Sequence, residues 1–306
     1  MTDRPNSPRS TPRPADRPAT FADWLEGARP HTWANAFAPV VAGVGAAAHH
    51  SDVAWGRAAL ALIVAWALIV GVNFANDYSD GVRGTDDDRS GPLRLTGSGL
   101  VPPARVKAAA FACFGVAGVA GLALSLLSAW WLVLIGVACI AGAWFYTGGD
   151  NPYGYRGLGE VAVFVFFGLV AVLGTEFTQS GRISWPGVVA AVAVGAISSS
   201  VNLANNLRDI PSDTEAGKIT LAVRLGDAGT RKAWLALACT PLIASVALAF
   251  ATPWALVGLV AAPLIFLASK PVTGDAKGPA LIPVLGMAGR AMLVWAVVTA
   301  LALGLG

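Results

Sequence analysis

Nine stretches of this chain run for 17 to 25 residues with almost no ionisable side chain, at 33–49, 57–75, 106–128, 130–147, 159–177, 186–205, 232–250, 253–269 and 280–304. About 20 apolar residues of α-helix are needed to cross roughly 30 Å of hydrocarbon. Lipid offers no partner to a backbone N–H or C=O, so such stretches are helices rather than loops or open strands. Only 13% of the 306 residues are charged and 55% are hydrophobic, against about 25% charged in a soluble domain. The expected fold is an all-α integral membrane protein in the lipid bilayer, a single bundle of about nine transmembrane helices. The joint at Ser128 to Trp131 is short enough that the third and fourth stretches read equally as one bent element. Cys113, Cys139 and Cys239 lie inside apolar stretches without metal-ligand spacing, as small core residues do, and no disulfide framework follows.

Residues 1–20 are rich in Pro, Arg, Ser and Asp, with too little apolar surface to pack, and are expected to form a disordered cytoplasmic tail. They lack the apolar run and small-residue cleavage site of a signal peptide. The membrane domain is placed at 21–306, opening with an amphipathic interfacial segment over 21–32 that Pro30 ends. With nine spans, one side collects the arginines of the tail, Arg29, Arg83, Arg89, Arg94, Arg105, Lys107, Arg156, Arg208, Lys218, Arg224, Arg231, Lys232, Lys270 and Lys277, while the other receives Arg57 and Arg182. By the positive-inside rule the first side is cytoplasmic. The chain is therefore expected in the cell (plasma) membrane, the bacterial inner membrane, with its N-terminus and long polar loops in the cytosol and its C-terminus outside. No nucleic-acid partner is expected, and protein partners are not specified.

The second stretch ends in NFANDYSDGVRGTDDD at 73–88, five aspartates at the end of an apolar helix. Residues four apart share a helix face, so Asn73 with Asp77 and Asn76 with Asp80 each present oxygen ligands to one side. Asp86, Asp87 and Asp88 follow. A solvated acidic cap is the bland reading of one such cluster. A second copy argues against it: NLANN at 202–206 echoes NFAND at 73–77, 129 residues further on, and leads into Asp209 and Asp213, again four apart. If the two halves pack together, four or more carboxylates converge, which is costly unless cations neutralise them. Mg²⁺ is held by one or two carboxylates together with substrate phosphates and water, so the expected ligand is a magnesium-bound diphosphate. Asn76, Asp77, Asp80, Asp86, Asp209 and Asp213 are the candidate metal ligands. Arg89, Arg94, Arg208, Lys218 and Arg224 supply the positive charge for the diphosphate oxygens. Asp80, Asp213 and Lys218 are the candidate catalytic residues.

These motifs resemble those of the intramembrane aromatic prenyltransferases, the UbiA superfamily, over nearly the whole chain. NDYSDGVRGTD at 76–86, YTGGDNPYGYRGLGEVAVFVFFG at 146–168 and NNLRDIPSDTEAGKITLAVRLG at 205–226 look most like the menaquinone-pathway branch. That resemblance implies transfer of a polyprenyl chain from polyprenyl diphosphate to 1,4-dihydroxy-2-naphthoate, with loss of the ring carboxylate as CO₂, to give demethylmenaquinol, with Mg²⁺ as cofactor. One departure stands out: the third acid of the first family motif falls at Gly84, and the next acids are Asp86 to Asp88. 4-Hydroxybenzoate or homogentisate is the alternative acceptor. A secondary transporter is the alternative of another class, since repeated bundles with paired polar motifs also describe those.

A prenyl transfer develops positive charge on the allylic carbon, which aromatic faces stabilise. Tyr78, Tyr146, Tyr153 and Tyr155 all lie in or beside the cytoplasmic loops, where interfacial anchoring is the competing explanation. Asn35, Tyr78, Tyr146, Tyr153 and Glu160 are expected to line the aromatic-substrate or cation pocket, and Arg29 and His31 are candidates for the acceptor carboxylate, with a positive-inside anchor as the stronger competing reading. His49, His50 and Glu176 are expected to be solvated on the far side. Arg290, about ten residues into the last stretch, is a functional candidate because charge inside a membrane is costly.

Overall fold

The computed structural model describes residues 17–84 and 93–306. Residues 1–16 of the tail expected at 1–20, together with Asp86, Asp87, Asp88 and Arg89, lie outside the described residues. Every regular element among the described residues is helical: α1 (Phe21–Gly27), a 3₁₀ turn (Pro30–Thr32), α2 (Ala34–Ala48), α3 (Trp55–Arg83), α4 (Pro103–Leu127), α5 (Leu132–Phe145), a second 3₁₀ turn (Tyr153–Arg156), α6 (Gly159–Ser180), α7 (Trp185–Arg208), α8 (Ile210–Glu215), α9 (Leu221–Leu248), α10 (Pro253–Thr273) and α11 (Gly278–Leu305). A capping box starts α1, with Thr20 and Asp23 each accepting from the other's backbone N–H. Arg17 forks the Asp23 carboxylate at 2.6 and 2.8 Å and holds it well below the usual carboxylate range.

Each expected stretch is helical, but only seven of the helices, α3, α4, α6, α7, α9, α10 and α11, are long and apolar enough to cross a membrane. Helices α2 and α5 have 15 and 14 residues, or about 21 to 23 Å at 1.5 Å per residue, short of the roughly 30 Å core. The joint at Ser128 to Trp131 separates two elements rather than bending one. Helix α9 starts at Leu221, ahead of its apolar run, and is broken at Gly226, where φ is 68°.

Helix α7 is the axis, packed against α2, α6, α9 and α11. Buried over most of its surface beyond Val192, it is built from Gly, Ala, Ser and Val rather than from one apolar stripe. Small residues set these approaches, since lipid gives helices no hydrophobic reason to associate. A Cβ at Gly168 of α6 would collide with Gly195 of α7, and one at Gly45 of α2 with Ala300 of α11. Across its middle α6 is π-helical for ten residues, Phe164–Leu173, where a π segment ordinarily lasts one turn. On the other side α3 packs along α4, and α5 buries none of its residues.

The connections alternate between two ends. Trp55, Trp130, Trp131, Trp185 and Trp254 are exposed at the end opposite the aspartate motifs, the placement of an interfacial aromatic belt. The expectation of solvated groups there is corrected. Glu176 is fully buried, and its Oε1 lies 3.1 Å from His50 Nε2 while accepting the Ser184 amide at 3.0 Å and hydroxyl at 2.5 Å. Arg182 Nε donates to His50 Nδ1 at 3.0 Å, which leaves the ring hydrogen on Nε2, facing the carboxylate. His49 is engaged as well, its Nδ1 3.1 Å from the Leu303 carbonyl. The ends of α2 and α6 and the start of α7 meet here, so each polar group is the partner that lets the others be buried. Glu176→Ala removes the acceptor from three donors and is expected to cost about 3 kcal/mol, read as a drop of several degrees in the melting midpoint in detergent. An unchanged midpoint would contradict this clasp.

A candidate active site at the head of a membrane-long cavity

A cavity of about 410 Å³ runs between α3, α4, α5 and α6. Along α3 its wall extends from Asp80 to Ala61, nineteen positions or about 28 Å of helix, nearly the thickness of the hydrocarbon core. At one end it is polar, with Arg29, Asn73, Asn76, Asp80, Arg94, Asn202, Asn205, Asn206 and Lys218; below that it is lined by Leu68, Val72, Ile140, Phe166, Phe167 and Val170.

The two faces expected at the end of α3 do different work. Asn76 and Asp80 face the cavity. Asp77, 100° away round the helix, is fully buried, and both of its oxygens accept backbone N–H groups at 2.8 Å, from Leu95 and Thr96. Asn73, which also reaches the cavity wall, donates its amide to the Ala28 carbonyl and the Thr32 hydroxyl. The expected metal ligand Asp77 is thus an anchor of the α3–α4 connection, and the backbone it fixes carries Arg94, whose guanidinium lies 3.7 Å from Asp80 Oδ2. Asp80 Oδ1 accepts the Tyr155 hydroxyl at 2.6 Å, and Asn76 Oδ1 accepts the Thr147 hydroxyl at 2.8 Å. Arg83 donates to the carbonyls of Thr147 and Gly149, strapping the α5–α6 connection over this motif.

In the second motif the four-apart rule fails where the helix ends. Asn202, Asn205 and Asn206 on α7 reach the cavity, but Asp209 is the C-cap, and its carboxylate is forked by Arg208 at 2.6 and 2.7 Å. Asp213, on α8, lies 3.2 Å from Lys218 Nζ, and Lys218 lines the cavity. Lys218 Nζ also stands 5.3 Å from the centre of the Tyr155 ring, so Tyr155 bridges the two motifs. The expected diphosphate contacts divide accordingly. Arg94 and Lys218 face the cavity, whereas Arg208 is held in its buried pair and the exposed Arg224 donates to the Arg156 carbonyl.

Tyr146 and Tyr153 line the cavity with their rings edge to face at 5.5 Å. Burial raises both hydroxyls, that of Tyr153 to about 12, and Tyr153 donates to the Gly142 carbonyl at 2.6 Å. Tyr78 is not in the pocket: it stacks on Trp144 outside it, with Lys107 over both rings. Asn35 is in the wall; its amide donates to the Thr32 carbonyl, and its buried Oδ1 has no hydrogen-bond partner. His31 lines the cavity beside Arg29, and burial, then the charges of Arg29 and Arg208, push its imidazole below the usual range. Glu160 lies behind the wall rather than in it, buried against Asn202 and Asn206. Arg290 is exposed on α11, away from the cavity. Tyr155 and Thr147 were not singled out as partners of the first motif. The only signal for them is the polar run TGGDNPYGYR directly after an apolar stretch.

No three carboxylate, imidazole or thiol groups converge on one point among the described residues. The expected convergence of four carboxylates is therefore not seen there, because Asp77, Asp209 and Asp213 each have a local partner. What lines the cavity head is one carboxylate and several side-chain amides, which offer oxygen donors of the kind hard cations take, beside the cationic side chains of Arg29, Arg94 and Lys218.

The UbiA prenyltransferase family matches residues 36–280 of this chain. The 1,4-dihydroxy-2-naphthoate octaprenyltransferase of Mycobacterium leprae is 59% identical over 287 residues, covering 94% of this chain and 98% of that protein. Among solved structures, the apo UbiA homologue of Aeropyrum pernix K1 superposes with a TM-score of 0.64 at 20% identity, over 85% of this chain and 94% of that one. The Archaeoglobus fulgidus homologue bound to GPP and Mg²⁺ gives 0.60 at 14% identity, over 90% and 99%. With the family matched over most of its length and such a relative over nearly all of it, this chain belongs to the UbiA prenyltransferase family.

Proposed function

We propose that this protein transfers a polyprenyl chain from polyprenyl diphosphate to 1,4-dihydroxy-2-naphthoate with loss of CO₂, giving demethylmenaquinol, and that it does so with Mg²⁺ at the cytoplasmic face of the plasma membrane. The observation that carries the reading is the single cavity that joins a cationic, oxygen-rich head to an apolar channel about as long as a bilayer core. A diphosphate attached to a long prenyl tail has that same division. The identity to the Mycobacterium leprae enzyme supports the choice of acceptor, and the concentration of Lys and Arg on the site's side supports its orientation. The Archaeoglobus fulgidus structure with GPP and Mg²⁺ supports the metal.

In this reading Asp80, with the amide oxygens of Asn76 and Asn205, holds the cation. When bound, Mg²⁺ neutralises charge building on the departing diphosphate. Arg94 and Lys218 donate to the diphosphate oxygens, Arg94 aimed by the Asp77 anchor and Lys218 by Asp213. The allylic C–O bond breaks with its electron pair going to the diphosphate. Tyr146 and Tyr153 stay protonated and present neutral ring faces to the cation-like carbon. Attack by the ring carbon bearing the carboxylate forms the C–C bond, and departure of CO₂ returns an electron pair to the ring. Arg29 holds the carboxylate beforehand, and Asn35 Oδ1 accepts from a ring hydroxyl. The prenyl tail lies in the apolar channel, excluded from water.

Purified protein given polyprenyl diphosphate and the naphthoate is expected to release CO₂ and lipid-soluble quinol with Mg²⁺ and neither with EDTA. Product from 4-hydroxybenzoate alone would overturn the acceptor. Asp80→Asn is expected to lower kcat by at least about a hundredfold, whereas Asp77→Asn, which loosens Arg94, should act mainly on the KM for the diphosphate. The reverse pattern would contradict these assignments. Gly136 lines the channel on α5, where an added Cβ meets nothing within 4 Å, about 15 Å along the helix from Tyr146. Gly136→Phe is expected to fill the channel, leaving geranyl diphosphate turnover within about twofold while cutting turnover of long polyprenyl donors about tenfold or more. Equal effects on short and long donors would place the tail elsewhere.

A further inference from the structure

Glu160 is a buried carboxylate that touches neither the expected metal nor the cavity, and its partners are unusual. Its Oε1 accepts two side-chain amides from α7, Asn202 Nδ2 at 3.1 Å and Asn206 Nδ2 at 2.7 Å. The two asparagines are four apart, so one oxygen placed behind that face reaches both. Its Oε2 is buried with no hydrogen-bond partner.

The consequence lies on the other prong of each amide. An Asn side chain carries a donor and an acceptor on opposite arms of one planar fork, so committing Nδ2 to Glu160 fixes where Oδ1 points. Both asparagines line the cavity, across from Asn76 and Asp80. The Tyr146 hydroxyl, itself in the cavity wall, donates to Asn202 Oδ1 at 3.5 Å. Local backbone is shaped around this arrangement: the Ser199 hydroxyl donates to the Glu160 carbonyl at 2.9 Å. A Cβ at Gly159 would stand 3.0 Å from the Tyr146 hydroxyl and 3.1 Å from Asn202 Nδ2, so the residue before Glu160 has no side chain to press on either group.

We infer that Glu160 is a positioning residue, which turns the amide oxygens of Asn202 and Asn206 into the cavity as ligands for the cation. This rests on the metal site proposed above. Without an acceptor behind them the amides are free to flip, and a flipped amide presents N–H groups to a cation.

The test measures Mn²⁺ binding by electron paramagnetic resonance to the full chain in detergent, with inorganic diphosphate present. Glu160→Gln keeps an amide oxygen to accept both N–H groups and is expected to bind within about twofold of wild type, while Glu160→Met, of similar length but with no acceptor, weakens binding about tenfold or more. Wild-type affinity in Glu160→Met overturns the inference. So does an equal loss in both variants, which would make the charge rather than the acceptor the working feature. Should Glu160→Met fail to fold, Asn206→Ala decides: weaker binding supports the ligand role and wild-type binding overturns it. Asp80→Asn separates the two levels, because unchanged Mn²⁺ binding in that variant would bring down the metal site itself.

Discussion

A carboxylate at the membrane end of a helix must be met by a cation or by a full set of donors, because the low dielectric below it makes an unpaired charge costly. Most of the polar architecture here answers that demand. Asp77 is met by two backbone amides, Asp209 by the guanidinium of its neighbour and Asp213 by Lys218. Each pairing also fixes something: a loop, the end of α7, the placement of a lysine at the cavity. Asp80 is met by Tyr155 and stands near Arg94, and it is the one of these four carboxylates that faces the cavity. At the opposite end the same demand produces the Glu176, His50 and Ser184 clasp.

The channel follows from a second constraint. Helices in lipid approach closely only through small residues, and α2, α6, α7 and α11 do so at Gly45, Gly168 and Gly195. Between α5 and α6 the close approach is Gly142 against the ring of Phe166 rather than backbone against backbone, and the cavity continues between the two helices. The π-helical stretch of α6 belongs to the same wall: Phe166, Phe167, Val170 and Ala171 within it all line the cavity. Head and channel are thus one space because α5 and α6 do not come backbone to backbone as α6 and α7 do.

Much of this was legible in the sequence. Apolar length gave the all-helical membrane fold, and the repeat of NFAND in NLANN gave the pairing of α3 with α7 around one site. Periodicity on α3 was enough to offer two faces, and one of them, Asn76 with Asp80, is the cavity face. It was not enough to choose between them, because what removes Asp77 is the backbone of residues 95 and 96, eighteen and nineteen positions away. On α7 the same rule failed for a local reason: the helix stops at Arg208, whose guanidinium takes the carboxylate of the C-cap Asp209. Tyr78 and Tyr155 looked equivalent as interfacial tyrosines, and only tertiary contact separates the one stacked on Trp144 from the one bonded to Asp80. Glu176 looked solvated because its partner His50 lies at the end of α2, 126 positions away, and the ring is held there by Arg182.

The central claim is that both aspartate motifs serve one cation–diphosphate site at the head of the channel. Anomalous scattering from Mn²⁺ in crystals grown with a non-reactive prenyl thiolodiphosphate tests it most directly. The account predicts manganese between Asp80 and Asn76 on α3 and the asparagines of α7, with the diphosphate reaching Arg94 and Lys218 and the tail running down between α5 and α6. Manganese bound at Asp209 and Asp213 alone, or a tail lying outside the channel, would contradict it.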